Sequence, residues 1–508
     1  MNRLALLVAA LLILAPSTAS AALDGPVTLD TGRVTGVAGS SASIRVFKGI
    51  PFAAPPIGPL RWRPPQPPAP WTGVRDASTF GPRCMQGQGA GPDVSEDCLY
   101  LNVWTAAASA AERRPVIVWS YGGSLRSGAG SQPQYDGEAL AQKGAVLITY
   151  NYRLGMFGFF SHPELTQESP QKASGNYGLL DLIAVLEWVR RNATAFGGDP
   201  TRVTIMGESA GASLVACLVT SPRAAGLFHR AIAQSTGCTG TSRIGAALTT
   251  LADAEAEGVK MAAALGAPSL AALRALSADD ILRRGQGTRV IVDGWTITDD
   301  WFTTLAQGRQ NRVDILAGSN KDEGTFPIFG VPDGGPKEFT ARTTERYGAL
   351  APAFLKLYPA GSQAESDASQ LAAFRDLVFW NLRRWARDQV RTGGSRAYLY
   401  FFTREPPSSA GQPSRGASHT AEIPYAFNNL HVEKNRPWTD VDRRLADVMS
   451  SYWVNFAATG DPNGPGLPGW PALQGKPDDR IMILGDQVGA GPGPNAAALD
   501  LYDRHYRR

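Results

Sequence analysis

The chain has 508 residues, of which 43% are hydrophobic and 19% are charged. This balance is that of a globular protein long enough for one large core or two domains. The 49 basic residues nearly match the 45 acidic ones, and the formal net charge is +4 without a long run of Lys or Arg. The composition therefore argues against a nucleic-acid-binding protein.

The N-terminus has the pattern of a secretory signal peptide. Arg3 supplies a positive charge, residues 4–15 form an apolar run, and Ala19-Ser20-Ala21 is a small-residue cleavage site. The run is too short to span a bilayer, and no Cys lies near the cleavage site, so we expect no membrane or lipid anchor after cleavage. We predict export, to the periplasm or beyond, with cleavage near Ala21 and a mature chain of residues 22–508.

The chain after the cleavage site reads as a single α/β domain. Proline-rich turns and short β-branched runs predict an irregular β layer over residues 22–80. Buried strands are then predicted at 95–103, 115–120, 145–150, 203–205, 231–235, 314–318 and 398–402, with helices at 178–196, 212–220 and 439–459. This alternation predicts one large, mostly parallel sheet. The helical segments 240–310 and 325–395 are candidates for insertions that cover an active-site mouth.

Four cysteines fit an oxidising compartment. Cys84 and Cys98 flank a glycine-rich segment and could close a small loop. For Cys217 and Cys238, a second disulfide and two buried free thiols both remain open.

The strand at 203–205 leads into Gly207-Glu208-Ser209-Ala210-Gly211, and a helix follows. This order of strand, G-x-S-x-G and helix is typical of a nucleophile elbow, in which glycines allow a sharp turn that exposes the serine. The amide of Ala210, at the helix N-terminus, is then free to donate to a developing oxyanion. A chance pentapeptide in a glycine-rich chain is the alternative.

A glycine pair ends the strand at 115–120. Gly122 and Gly123 precede Ser124, and such a pair is either a tight turn or a source of unobstructed backbone amides for an oxyanion hole.

A serine nucleophile needs a base, and the base needs a third group to fix its tautomer. With this type of elbow the expected chain order is Ser, acid, His. Of the five histidines, His419 and His431 fit this order outside the terminal tail, and His419 is preferred because its polar loop follows the strand at 398–402. Asp322 and Glu323 both follow the strand at 314–318, and chemistry alone leaves either as the acid.

Further stretches resemble the type-B carboxylesterase/cholinesterase family of α/β hydrolases, over nearly the whole mature chain. Besides the elbow they are FKGIPF (47–52), SEDCLYLNV (95–103), NYRLG (151–155), GNYGLLD (175–181), FGGDP (196–200), NKDEG (320–324), YWVNFA (452–457) and TGDPN (459–463). The resemblance implies an α/β-hydrolase fold with insertions over the active-site gorge, and ester hydrolysis without a metal or organic cofactor.

The resemblance also implies site residues. It makes Ser209 the nucleophile, Glu323 the acid and His419 the base, and it assigns the oxyanion hole to the amides of Gly123, Ser124 and Ala210. It implies a Cys84–Cys98 disulfide and two ion pairs, Arg61–Glu96 and Arg153–Asp181, which we interpret as scaffold.

The chain departs from the family pattern after Gly123. Ser124 replaces a third glycine, Leu125 stands where an aromatic is common, and Arg126 stands where the gorge wall is expected. Ser124 can still donate its N–H if its backbone tolerates a Cβ, although its side chain would narrow the cavity beside the acyl carbon. Arg126 either favours carboxylate-bearing substrates or is an outward, solvated side chain.

We therefore predict an exported serine carboxylesterase that acts on small-molecule esters. The alternatives are a non-catalytic cholinesterase-like adhesion or binding protein, and a hydrolase of another acyl bond such as an amide. The sequence does not identify the ester or the oligomeric state.

Overall fold

The computed structural model describes residues 23, 25–87, 93–238, 248–285, 289–476 and 479–506. The predicted signal peptide lies outside these residues. The strands are β1 Val27–Leu29, β2 Gly32–Thr35, β3 Val37–Ala38, β4 Arg45–Pro51, β5 Val74–Asp76, β6 Arg83–Cys84, β7 Val94–Ser95, β8 Tyr100–Thr105, β9 Arg114–Ser120, β10 Val146–Tyr150, β11 Gly198–Glu208, β12 Arg230–Gln234, β13 Thr249–Thr250, β14 Ile291–Val292, β15 Asp314–Asn320, β16 Ala397–Phe402, β17 Ile481–Leu484 and β18 Val488–Gly491.

The helices are α1 Glu138–Gln142, α2 Gly155–Gly158, α3 Pro163–Glu168, α4 Tyr177–Asn192, α5 Ala210–Thr220, α6 Leu251–Ala264, α7 Leu270–Ala275, α8 Ala278–Arg284, α9 Trp301–Ala306, α10 Pro336–Tyr347, α11 Ala351–Leu357, α12 Gln363–Arg391, α13 Ile423–Ala426, α14 Asp440–Thr459 and α15 Ala496–His505. Within the described residues, no helix is long and apolar enough to cross a membrane.

The central sheet has eleven strands in the order β18-β17-β16-β15-β12-β11-β9-β10-β8-β4-β3. The seven strands from β17 to β10 run parallel, whereas β18 at one edge and β8, β4 and β3 at the other pair antiparallel. The prediction of a large, mostly parallel sheet is therefore confirmed. Because parallel strands end at the same edge, the residues that follow β9, β11, β15 and β16 converge there.

The core forms because the central strands are apolar on both faces, as covered parallel strands require. Val116, Ile117, Val118 and Trp119 in β9 have no exposed surface. The irregular β layer predicted at the N-terminus is also present, with β1, β2 and β5 in a separate three-stranded sheet.

Two predicted boundaries differ from the structure. β11 begins at Gly198 and not at Val203, because its register against β9 shifts between these residues and the Asp199-Pro200 step is absorbed as an irregularity within the strand. The helix predicted to reach Phe196 is α-helical only to Asn192; a 3₁₀ turn continues to Phe196, and Gly197 closes it in the left-handed region at φ 74°.

Two disulfides, one buried ion pair and one partly buried ion pair tie the scaffold together. Cys84 is bonded to Cys98, and Arg61–Glu96 and Arg153–Asp181 are paired at 2.5 and 2.6 Å, as the resemblance implied. Cys217 is bonded to Cys238, so the alternative of two free thiols is wrong. α5 and the segment after β12 bring the two Cα atoms to within 4.8 Å, close enough for a bond.

Candidate active site

Ser209 occupies the turn between β11 and α5. Its backbone has φ 55° and ψ −128°, a conformation that non-glycine residues rarely adopt. The turn is held on both sides: the N–H of Ser209 donates to the carbonyl of Gln234 at 2.9 Å, and its own carbonyl accepts from the N–H of Ser213 at 3.0 Å. The strained turn leaves the serine half-buried and facing a cavity.

The two glycines of the pentapeptide allow close backbone approach. A Cβ on Gly207 would lie 2.5 Å from the carbonyl carbon of Gly211, and a Cβ on Gly211 would collide with the carbonyl of Ser120. Any side chain at either position would push α5 away from β9 and β11. These contacts explain why the sharp turn requires glycine at both places.

The loop after β9 faces the serine from the other side. A Cβ on Gly122 would lie 2.9 Å from the Cβ of Ser209, so this backbone passes directly against the elbow. The carbonyl of Gly123 accepts from the N–H groups of Arg126 and Ser127 at 2.9 and 3.1 Å, which closes a tight turn. Gly123 and Ser124 both have positive φ, 96° and 57°, and both line the same cavity as Ser209. Ser124 therefore adopts a conformation that favours glycine.

His419 is buried and is held by a carboxylate. Its Nδ1 lies 2.6 Å from Oε2 of Glu323, whose other oxygen accepts from the backbone N–H of Asn320 at 2.9 Å. Glu323 is fully buried in the turn after β15. This arrangement fixes the imidazole with Nε2 directed away from Glu323, as a base oriented by an acid requires.

Asp322 and Glu323, the two acids left open by chemistry, point to different partners. The backbone of Asp322 forms an isolated parallel bridge with Ser418, and its N–H donates to the carbonyl of Ala417 at 2.9 Å. Its carboxylate accepts from the N–H of Ala417 at 2.8 Å. Asp322 therefore anchors the loop that carries His419, while Glu323 contacts the imidazole. His431, the other candidate base, is exposed.

A third carboxylate lies at the far side of the imidazole. Oε1 of Glu208 is 3.2 Å from Nε2 of His419, and among the described residues neither atom is in a hydrogen bond. Nε2 is thus not bonded to Ser209 Oγ in this structure; such contacts are often long until substrate is bound. Burial raises the pKa of Glu208 against the opposing charge of His419, and the carboxylates of Glu422 and Glu323 raise it further.

Charge decides the protonation of His419. Burial by itself lowers the pKa of His419, but the opposing carboxylates of Glu208 and Glu323 outweigh burial, so that the net shift is upward. The imidazolium that forms when a serine loses its proton is therefore well stabilised here.

Glu422 adds a further buried carboxylate near Glu323. The sequence did not identify it as a site residue. It is fully buried and accepts from Gln234 at 3.0 Å and from Asn320 at 2.5 Å. Burial raises its pKa, and the charge of Glu323 adds to the effect. Glu208 was likewise missed as a site residue. The sequence offered one signal for each: Glu208 directly precedes Ser209, and Glu422 lies three residues after His419.

A cavity of about 520 Å³ connects these groups. It is lined by Ser209, His419, Glu208 and the Gly122–Ser124 loop, and we call it the Ser209 cavity. Two aromatic rings hold the imidazole edge-on: the ring centroids of Phe326 and Phe329 lie 5.6 and 4.8 Å from that of His419. Phe326 and Ile328, at the start of the second predicted insertion, line the cavity. The described part of the first insertion lines a separate cavity through α6.

Leu125 and Arg126 lie outside the Ser209 cavity. Leu125 is buried, and its carbonyl accepts from the N–H of Gly155 at 2.7 Å. Arg126 is exposed and lines two other cavities, one of them beside α6 and the other beside α8. Among the described residues, neither side chain reaches the lining around Ser209. Their part in substrate binding stays a prediction.

The sequence and the fold both match known esterases. The model of the carboxylesterase family matches residues 24–500. A fumonisin B1 esterase of Sphingopyxis macrogoltabida is 38% identical over 489 residues, which is 91% of this chain and 87% of the relative. A para-nitrobenzyl esterase of Bacillus subtilis is 33% identical over 485 residues, covering 90% of this chain and 94% of the relative.

A solved structure of a PNB esterase superimposes with a TM-score of 0.80 at 33% identity, covering 94% of this chain and 99% of that chain. The fold is thus that of the α/β hydrolases, as predicted. The chain belongs to the carboxylesterase family and is a carboxylic ester hydrolase.

Proposed function

We propose that the protein hydrolyses small-molecule esters through a covalent acyl-enzyme formed on Ser209. The observation that carries the proposal is the 2.6 Å contact between His419 Nδ1 and Glu323 in a cavity that Ser209 also lines. A serine on a strained elbow, a buried imidazole and a carboxylate that orients it are the three parts that acyl transfer needs.

In the first half-reaction, His419 Nε2 takes the hydroxyl proton as Ser209 Oγ attacks the ester carbonyl. Glu323 stabilises the imidazolium. The carbonyl oxygen becomes an oxyanion, which the backbone amides of Gly123, Ser124 and Ala210 stabilise. The intermediate then collapses: the bond to the alcohol oxygen breaks, the alcohol leaves with the proton from His419, and the acyl group stays on Ser209.

In the second half-reaction, water replaces the alcohol. His419 removes a proton from water as its oxygen attacks the acyl carbon, and a second oxyanion forms in the same hole. Collapse returns the proton to Ser209 Oγ and releases the carboxylic acid. One water is consumed for each ester, and the enzyme is regenerated.

The test is turnover of para-nitrophenyl esters from acetate to decanoate. A para-nitrobenzyl ester and fumonisin B1 are added to the panel, because two relatives are named after these substrates. We expect Ser209→Ala and His419→Ala to lose activity on every ester that the wild type hydrolyses. Ser213→Ala, a half-buried serine on α5, is the matched control and should stay active. An active Ser209→Ala would contradict the proposal.

Covalent trapping gives an independent readout. A phosphonofluoridate should add one phosphonyl group per chain, and peptide mass spectrometry should locate it on Ser209. Anilides added to the same panel test amide hydrolysis, because Ser209, His419 and Glu323 could also catalyse the cleavage of an amide. Modification of a different serine would overturn the assignment even if ester turnover were found.

We also propose that the enzyme is exported. The signal-peptide pattern of residues 1–21 supports export, and so do the disulfides Cys84–Cys98 and Cys217–Cys238, because such bonds persist in oxidising compartments. Fractionation of expressing cells, with N-terminal sequencing of the product, tests this. A cytoplasmic protein that retains residues 1–21 would contradict it.

A further inference from the structure

A second cavity, of about 280 Å³, adjoins the Ser209 cavity. The two share four lining residues: Phe326, Thr420, Pro424 and Glu433. Thr420 follows His419 directly, so the shared wall lies beside the imidazole. We call this second space the side cavity. A substrate whose ester carbonyl sits at Ser209 has the side cavity within reach of its distal part.

The lining of the side cavity is rich in hydrogen-bond donors. The loop after β16 contributes Ser408, Ser409, Gln412 and the exposed Arg415 to the lining. Ser418, just before His419, is a further hydroxyl-bearing residue of the lining. Hydroxyl, amide and guanidinium groups together suit an oxygen-rich, anionic ligand group better than a hydrocarbon chain.

The two arginines of the side cavity differ in their partners. Arg436 is neutralised by Glu433 at 2.7 Å, and its guanidinium lies 5.1 Å from the ring centroid of Trp438. Arg415 is held through its carbonyl, which accepts from Thr325 Oγ1 at 2.8 Å. No carboxylate of the described residues forms an ion pair with the Arg415 side chain. The described lining therefore carries one uncompensated positive charge.

The loop that presents Arg415 is fixed to the acid side of the site. Gly416 has φ 68° and packs so closely on Asp322 that a Cβ there would overlap its carboxylate. The N–H of Ala417 donates to the same carboxylate at 2.8 Å. The backbone of Arg415 is thus coupled through these two residues to the segment that carries His419.

We propose that the side cavity is a subsite for a carboxylate on the substrate, and that Arg415 recognises it. This rests on the proposed function, since the ester must be bound at Ser209. A guanidinium binds a carboxylate through two parallel N–H···O bonds, which gives orientation as well as attraction. The substrate class is then esters that carry a free carboxylate several bonds from the scissile carbonyl.

The test compares matched pairs of esters. Mono-para-nitrophenyl adipate, suberate and sebacate carry a terminal carboxylate, and para-nitrophenyl hexanoate, octanoate and decanoate are their neutral counterparts. The three lengths sample a series of linkers between the ester carbonyl and the terminal carboxylate. We expect the wild type to favour the anionic partner at one length at least, and Arg415→Gln to lower that ratio of kcat/KM by roughly tenfold or more. Arg415→Lys should recover part of it.

Arg126→Gln tests the rival assignment at a position that lines other cavities. We expect it to leave the ratio unchanged. A ratio that responds to Arg126→Gln and not to Arg415→Gln would overturn the proposal in favour of the sequence-based prediction for Arg126. If the wild type hydrolyses neutral esters but Arg415→Gln leaves the anionic-to-neutral ratio of kcat/KM unchanged at all three lengths, the subsite alone is overturned. Absence of turnover on every ester would overturn the proposed function and the subsite with it.

Discussion

Oε1 of Glu208 lies 3.2 Å from Nε2 of His419, the nitrogen that accepts the proton of Ser209 in the proposed mechanism. Both side chains are almost fully buried, with 2% and 4% of their surface exposed. Glu208 favours the imidazolium when it is charged, and burial favours its neutral form. Because the two groups interact so closely, they titrate as a coupled pair. The carboxylate of the residue that precedes Ser209 raises the pKa of His419.

Glu208→Gln should extend activity to lower pH. The neutral amide removes a negative charge that raises the pKa of His419, so that pKa falls and the neutral, proton-accepting imidazole persists in more acidic solution. We expect the acid limb of the kcat/KM profile to move down by about one pH unit or more. Measurement of kcat/KM on a neutral ester from pH 5 to 9 checks this. An acid limb at the wild-type position would show that Glu208 does not act on His419.

Glu323→Gln and Asp322→Asn should separate the roles of two neighbouring acids. Glu323 contacts the imidazole at 2.6 Å, and its amide would hold His419 in the wrong tautomer, so we expect kcat to fall by roughly 10²–10⁴-fold. Asp322 contacts the loop backbone through Ala417, so Asp322→Asn should give a far smaller loss. Steady-state kinetics measure kcat for both variants, and unfolding curves show whether each variant is folded. A larger loss in Asp322→Asn would reverse the assignment.

Local patterns were sufficient to predict the sheet and the elbow. The apolar runs of β9 and β10 and the glycines around Ser209 each impose their structure over a few residues, because buried parallel strands exclude polar groups and the elbow excludes side chains. Chain order narrowed the base to two histidines. The position of its polar loop favoured His419, whereas the choice of Glu323 needed the family pattern, since chemistry alone also allowed Asp322.

Contacts between distant segments could not be predicted in this way. Glu208 meets His419 only because β11 and the loop after β16 end at the same edge of the sheet. Glu422 reaches Gln234 and Asn320 because β12 and β15 end there too. Cys217 and Cys238 pair because α5 packs over the end of β12. The direction of Arg126 depends on a run of positive φ angles at Ser124 and Leu125, which the sequence does not encode in any single residue.

Ser124→Gly should keep activity and widen substrate range. Ser124 has φ 57°, where glycine is unstrained, and its proposed contribution is a backbone N–H that the substitution retains. Removal of the hydroxymethyl group from the cavity lining should raise kcat/KM for bulky acyl esters relative to acetate. Loss of an oxyanion donor costs roughly 10²–10³-fold. A loss of that size on para-nitrophenyl acetate would show that the hydroxyl, or the strained backbone it accompanies, is itself needed.

The Cys217–Cys238 bond should stabilise the part of the fold that holds the elbow. Cys217 lies on α5, which begins directly after Ser209, and Cys238 follows β12, whose Gln234 accepts from the Ser209 N–H at 2.9 Å. Both cysteines are buried. We expect Cys217→Ala/Cys238→Ala to lower the free energy of unfolding by about 2–4 kcal/mol, since a 21-residue separation is cross-linked. Urea unfolding, with Cys84→Ala/Cys98→Ala as the matched control, measures this.

Alkylation of the wild-type chain in denaturant without reductant tests the bond itself. It should label no thiol, and labelling of Cys217 and Cys238 would show that the pair is not bonded.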